Sequence, residues 1–179
     1  MLADEQLIKR IEEMASLCIS TFRAGGKVLF CGNGGSAADA QHLSAELSGR
    51  FRYDRPPLFS EALHVNSSFV TAVANDYSFE KVYARMLTAM GKEGDVLVAL
   101  STSGNSANIL HAISQAKVLN INVIGFTGKT GGRMADQCDL ILNVPSDDTA
   151  RIQEAHIMVG HILCDLIERS LFPQESDLL

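Results

Sequence analysis

The sequence predicts an α/β protein, a three-layer sandwich in which a five-stranded parallel sheet lies between helices. Two observations carry this prediction. Short, unbroken apolar runs alternate with segments of helical periodicity, the pattern of parallel strands that are buried on both faces. The same design of apolar strand, small polar loop and helix also occurs twice, at "KVLFCGNGGSAADAQH" and at "GDVLVALSTSGNSANI". A chain of 179 residues, 46% hydrophobic and 20% charged, is long enough to bury such a core as one unit, so a single domain over 1–179 is expected.

The elements follow in order. Leu7, Ile8, Ile11, Met14, Ala15, Cys18 and Phe22 recur at helical spacing and give a first amphipathic helix over 4–24, stopped by Gly25-Gly26. "KVLFCG" is the first strand, and a helix starts near Ser36. Arg55-Pro56-Pro57 forces an extended break, after which "LFSEALHV" reads as the second strand. A short helix up to Ala74 and another over 79–90 come next. "GDVLVAL" is the third strand, followed by a helix from about Asn105 to Leu119. "INVIGFTG" and "CDLILNVP" supply the last two strands, with a short helical turn around Arg133 to Asp136 between them.

The last helix, 149–171, is apolar almost all round: Ile152, Ala155, Ile157, Met158, Val159, Ile162, Leu163, Leu166, Ile167 and Leu171. A helix without a solvent face must be buried on several sides. An interface between copies of the chain is the preferred explanation, with a central helix of the chain's own core as the alternative. Both terminal helices, 4–24 and 149–171, are expected to contribute to oligomerisation. The tail "FPQESDLL" is expected to be loose.

Composition excludes several partner classes. A net charge of -6 gives no long-range attraction for nucleic acid or an anionic membrane, although a local basic pocket remains compatible with it. No apolar run approaches the length that spans a bilayer, and "MLADEQLIKR" lacks the apolar core of a secretory signal, so a cytoplasmic protein is expected. Cys18, Cys31, Cys138 and Cys164 form no CxxC pair and are expected to be buried thiols.

Gly32, Gly34 and Ala37 fit the G-x-G-x-x-A dinucleotide fingerprint. The acid that should close the second strand is missing, since Glu61 lies inside it. The second loop argues for a different ligand. Ser101, Thr102, Ser103 and Ser106 place hydroxyls and backbone N–H groups at a helix N-terminus, the physical recipe for a phosphate monoester site. Helix capping alone would not require so many hydroxyls. One loop would grip the phosphate while the other, with Asn33, Gly34 and Gly35, faces the rest of the ligand; such an arrangement suits a sugar phosphate.

His42 and Glu46 are one helical turn apart on one face. They suit metal binding or acid–base work, against a competing reading as a solvated polar face shared with Asp39. "RIQEAHIMVGHI" places Gln153, Glu154, His156 and His161 on the apolar final helix, where a buried polar group needs a partner. Gly160, near the stripe of Gln153, would leave room for a ligand. Gln153 and His161 are about 12 Å apart along a helix. A neighbouring subunit is therefore expected to supply at least one of them to any shared metal.

Together "GGKVLFCGNGGSAADAQHLSAELSGRF", "GDVLVALSTSGNSANI", "VIGFTGKTGG" and "RIQEAHIMVGHILCDLIE" resemble the phosphoheptose isomerases, members of the flavodoxin-like sugar isomerase fold. The resemblance implies isomerisation of sedoheptulose 7-phosphate to D-glycero-D-manno-heptose 7-phosphate, in cytoplasmic homotetramers with one zinc ion per subunit. It implies that Asn33, Gly34, Gly35, Asn75 and Asp76 bind the sugar, and that Ser101, Thr102, Ser103 and Ser106 bind the phosphate. His42, Glu46, Gln153 and His161 would be the metal positions, with Glu46 and Gln153 also touching substrate and Glu46 and His161 forming the acid–base pair. One departure is Ala150, where some members carry an acid; Asp148 and Thr149 are the candidates to replace it.

Three alternatives compete. The first is a non-catalytic protein of the same fold that binds a replication initiator, which would share the ending "CDLIERSLFP". The others are a sugar-phosphate-sensing regulator and an NAD enzyme. None has a chemical need for His42, Glu46, Gln153 and His161 together.

Overall fold

The computed structural model describes residues 5–174. Its elements are α1 (Glu5–Arg23), β1 (Val28–Cys31), α2 (Gly35–Ser48), β2 (Ser60–Ala62), α3 (Ser67–Asp76), α4 (Val82–Met90), β3 (Val96–Leu100), α5 (Ala107–Val118), β4 (Asn122–Thr127), β5 (Leu140–Asn143) and α6 (Thr149–Leu171). Single 3₁₀ turns, Phe79–Lys81 and Gly132–Met134, precede α4 and β5. All strand pairings are parallel, in the order β2-β1-β3-β4-β5.

The alternation of side chains along each strand builds two cores. Val28, Phe30, Val98, Leu100 and Phe126 meet α1, α2 and α6 on one face, through Met14, Cys18, Leu43, Leu47, Val159 and Leu163. Leu29, Cys31, Leu97, Ala99 and Val123 meet α4 and α5 on the other, through Tyr83, Leu87, Ile109 and Ile113. This is the three-layer sandwich that the sequence predicts. Strand order reverses between β1 and β3, and open sheets of this kind bind ligands at that switch point, beyond the carboxyl ends of the strands. Both glycine- and serine-rich loops leave the sheet there.

The differences from expectation are local. Position 4 of the first helix and positions 175–179 of the tail lie outside the described residues. The second strand holds only Ser60–Ala62, because it is an edge strand pairing with β1 alone and the chain turns after Leu63, whose N–H still reaches the Phe30 carbonyl at 2.9 Å. The helix expected to end at Ala74 runs on to Asp76, its C-cap Tyr77 N–H bonding the Val73 carbonyl.

α6 has two different faces. Ile152, Val159, Leu163, Cys164 and Ile167 are buried in the chain's own core, while Met158 and Ile162 are 43% and 37% exposed. With Leu7, Ile8 and Ile11 of α1 they line an apolar groove of about 220 Å³. Among the described residues no helix is long and apolar enough to cross a membrane. The four thiols are unpaired, and burial pushes those of Cys18 and Cys138 up to about 12.

Candidate active site

The first loop turns through Gly34, the N-cap of α2, at φ 57°. A side chain there would meet no atom within 4 Å, so the backbone conformation, and not space, selects glycine. Gly35 differs: a side chain on it would strike the amide of Gln153. Asn33 is held by Asn108, each side-chain amide donating to the other at 2.8 Å. Asn108 lies in the first turn of α5 and is almost fully buried.

The second loop is pinned from several sides. Ser101 N–H donates to the Phe126 carbonyl, Gly128 N–H to the Thr102 carbonyl and Met134 N–H to the Gly104 carbonyl. Asn105 Oδ1 accepts from Arg133 N–H at 3.0 Å. Ser106 is the N-cap of α5 but makes no side-chain capping bond; its hydroxyl pairs with that of Ser101 at 3.0 Å. Two hydroxyls sharing one hydrogen bond keep one O–H and several lone pairs for a ligand. Ser103 is exposed, its hydroxyl accepting from Asn105 N–H at 3.2 Å. Ser106 thus leaves the first N–H groups of α5 uncapped apart from that of Ile109, which Asn108 Oδ1 accepts, and an anion is favoured at such a helix N-terminus.

α2 and α6 run side by side in the same direction, since Gly35 meets Gln153 and Leu43 packs on Gly160. Leu43 fills the space beside Gly160, so the room for a ligand expected there is taken by the close approach of the two helices. On the edge of that seam the ring nitrogens Nε2 of His42 and His161 are 3.0 Å apart, and Glu46 Oε1 is 3.3 Å from His42 Nε2. One ligand atom from each of the three residues lies within 4.8 Å of the others. Phe51 stacks on His161, ring centroids 5.6 Å apart.

His42 and Glu46 thus lie beside a third side chain of ligand type, since His161 joins them from the same chain. Gln153 does not: its amide lies against Gly35, about two turns of α2 before His42. The imidazole and carboxylate donors that converge are the kinds zinc accepts, so the trio fits a metal of that type. Asn75 and Asp76 end α3, exposed and bonded to each other at 2.9 Å. Asp148, one of the two candidates to replace an acid at 150, caps α6, its Oδ1 accepting from Ala150 and Arg151 N–H.

The sequence reading missed Asn108, Phe51 and a buried ion pair, Arg55–Glu168, at 3.0 Å. Asn108 had a signal in "SGNSANI", a further amide just inside the helix that follows the phosphate loop.

The SIS domain family model matches residues 3–128. Phosphoheptose isomerase of Burkholderia pseudomallei is 51% identical over 175 residues, covering 98% of this chain and 89% of the relative. That of Rhodospirillum rubrum is 57% identical over 161 residues, 90% of this chain and 86% of the relative. The solved phosphoheptose isomerase of Francisella tularensis superposes with a TM-score of 0.87 at 41% identity, covering 90% of this chain and 86% of that one. Relatives of this name over almost the whole chain disfavour the regulator, the initiator-binding protein and the NAD enzyme. With its switch-point loops and paired helices, the chain belongs to the phosphoheptose isomerases of the SIS domain family.

Proposed function

We propose that this chain isomerises sedoheptulose 7-phosphate to D-glycero-D-manno-heptose 7-phosphate, an aldose–ketose isomerisation at the entry to bacterial lipopolysaccharide heptose synthesis. The convergence of His42, Glu46 and His161 in a chain about half identical to phosphoheptose isomerases carries the reading. Moving a carbonyl between C1 and C2 needs a base to take a proton from one carbon, an acid to return it to the other, and stabilisation of the enediol between them. Glu46, half-buried, is the carboxylate for the first task, and His161 is an imidazole whose ring nitrogens can give or accept a proton.

Ser101, Thr102, Ser103 and Ser106 hold the phosphate together with the first N–H groups of α5. Asn33, Gly34 and Gly35 approach the sugar by backbone and amide, and Asn75 and Asp76 bind its hydroxyls. The metal is one zinc ion per subunit, held by His42, Glu46 and His161 with Gln153 as the fourth ligand; when bound, it polarises the substrate carbonyl as a Lewis acid.

The separation of Gln153 from the trio within one chain supports a site completed by a second copy. The exposed Ile8, Met158 and Ile162 support self-association through α1 and α6. The assembly proposed is a homotetramer of single-domain subunits, working in the cytoplasm.

The test is to incubate the purified protein with sedoheptulose 7-phosphate, after chelation and after zinc is restored, and assay the aldose product. Conversion that chelation abolishes and zinc restores is expected. No conversion under either condition removes the isomerase reading.

A further inference from the structure

Arg55 is 9% exposed and Glu168 1%, and the Arg55 Nε donates to Glu168 Oε1 at 3.0 Å. A pair this deep is a weak source of stability in itself. What it holds is more informative. The other guanidinium N–H groups of Arg55 donate to the carbonyls of Glu46, Leu47, Gly49 and Pro56, at 2.9, 2.8, 3.1 and 3.0 Å. Those of Glu46, Leu47 and Gly49 lie at the end of α2, where carbonyls have no partner within the helix. Arg55 therefore closes α2 from the turn that carries Glu46.

The Glu168 carboxylate also accepts the backbone N–H groups of Phe51 at 2.9 Å and Arg52 at 2.7 Å. These bonds fix the segment after α2 against α6. The Phe51 ring then lies over the His161 imidazole, with 28° between the planes. Arg52 adds an ion pair to Asp165 on the same helix. His161 and Glu168 are two turns apart, on nearly the same face of α6.

We propose that Arg55 and Glu168 are positioning residues for the acid–base site: the pair sets Glu46 through the end of α2 and the His161 ring through Phe51. The proposal rests on the isomerase reading above. Both residues are buried, so each acts through the groups it holds. The residue types fit the task. Arg55 spreads its N–H groups over five acceptors, where a lysine ammonium has only three hydrogens to donate. Glu168 receives three donors on two acceptor oxygens, where a glutamine would turn an NH₂ toward at least one of them.

Arg55→Lys and Phe51→Leu in the full chain test this, at a temperature where circular dichroism shows each variant folded. The readouts are kcat and KM on sedoheptulose 7-phosphate, zinc affinity by competition with a chromophoric chelator, and Tm. Arg55→Lys is expected to lose about tenfold or more in kcat and about tenfold in zinc affinity, the usual cost of losing a group that orients a ligand. KM should stay within about threefold, since substrate binding is not what the pair orients. Phe51→Leu leaves the ion pair intact and should lower zinc affinity and shift the rate–pH profile.

A folded Arg55→Lys with wild-type kcat and zinc affinity and only a lower Tm overturns the proposal. If Arg55→Lys does not fold, Phe51→Leu decides, and wild-type zinc affinity with an unshifted profile overturns it. Wild-type protein that neither converts substrate nor binds zinc overturns the isomerase reading, a failure seen before any substitution is made.

Discussion

The side-chain amides of Asn33 and Asn108 bond each other in both directions, tying the glycine loop after β1 to the first turn of α5. Asn108 Oδ1 also accepts Ile109 N–H at 3.0 Å, so its acceptor capacity is filled. Asn33 keeps one N–H and one lone pair for a sugar hydroxyl. The pair therefore sets the spacing between the glycine loop, proposed to face the sugar, and the serine loop, proposed to hold the phosphate. Asn108→Ala should cost about 1–3 kcal/mol in chemical denaturation, because it leaves part-buried polar groups unpaired. It should also raise KM for the sugar phosphate more than it lowers kcat. Asn33→Ala with Asn108→Ala should be non-additive by about 0.5–3 kcal/mol in a double-mutant cycle.

Acid should destabilise the fold through His156. This residue is fully buried, its Nε2 3.2 Å from the Thr127 carbonyl and its Nδ1 without a partner among the described residues. Burial pushes its pKa down to about 4. The unfolded chain, near 6.5, takes up a proton that the folded chain refuses, so stability is complete above about pH 6.5 and falls between there and about pH 4. The loss reaches about 3 kcal/mol at the lower end. Burial lowers the pKa of His64 as well, in the same direction. Denaturation midpoints between pH 7.5 and 4 measure this, and His156→Gln should flatten the slope.

Three glycines should rank by what an added methyl group meets. Gly34→Ala, at φ 57° and ψ -121° and facing open space, should cost about 1–3 kcal/mol from backbone strain alone. Gly104→Ala, at φ 66°, adds a clash with the backbone carbonyl of Gly131 and should cost more. Gly160→Ala drives a methyl to 2.5 Å from the Leu43 side chain, an overpacking worth about 1–3 kcal/mol. Because His42 adjoins Leu43 and His161 adjoins Gly160, Gly160→Ala should also weaken zinc binding, whereas Gly34→Ala should leave it unchanged. Tm and chelator competition check the order.

The sheet, the helices and the two loops were legible because they rest on local pattern. Apolar runs such as "VLVAL" and the periodicity of α1 and α6 need no knowledge of partners. α6 was read at its full length but only half explained: its apolar residues serve two faces, and only packing shows that Val159 and Leu163 go inward while Met158 and Ile162 stay out. The serine loop and the His42–Glu46 spacing were visible for the same local reason. His161 joined them only through the family resemblance and then the packing of α6 on α2. Arg55, Phe51 and Glu168 were silent because their roles depend on contacts across more than a hundred residues of chain. Gly160 was misread as free space for the converse reason, since its neighbour Leu43 is equally remote in sequence.

The proposed role of Glu46 is to move the proton in an aldose–ketose isomerisation at the α2–α6 seam. Its most direct test is the turnover of sedoheptulose 7-phosphate by folded, zinc-loaded Glu46→Gln, which keeps the shape of the side chain and removes the base. Its kcat should fall about 10²–10⁴-fold, the usual contribution of a general base, with substrate still bound. Turnover by Glu46→Gln at the wild-type rate would contradict it.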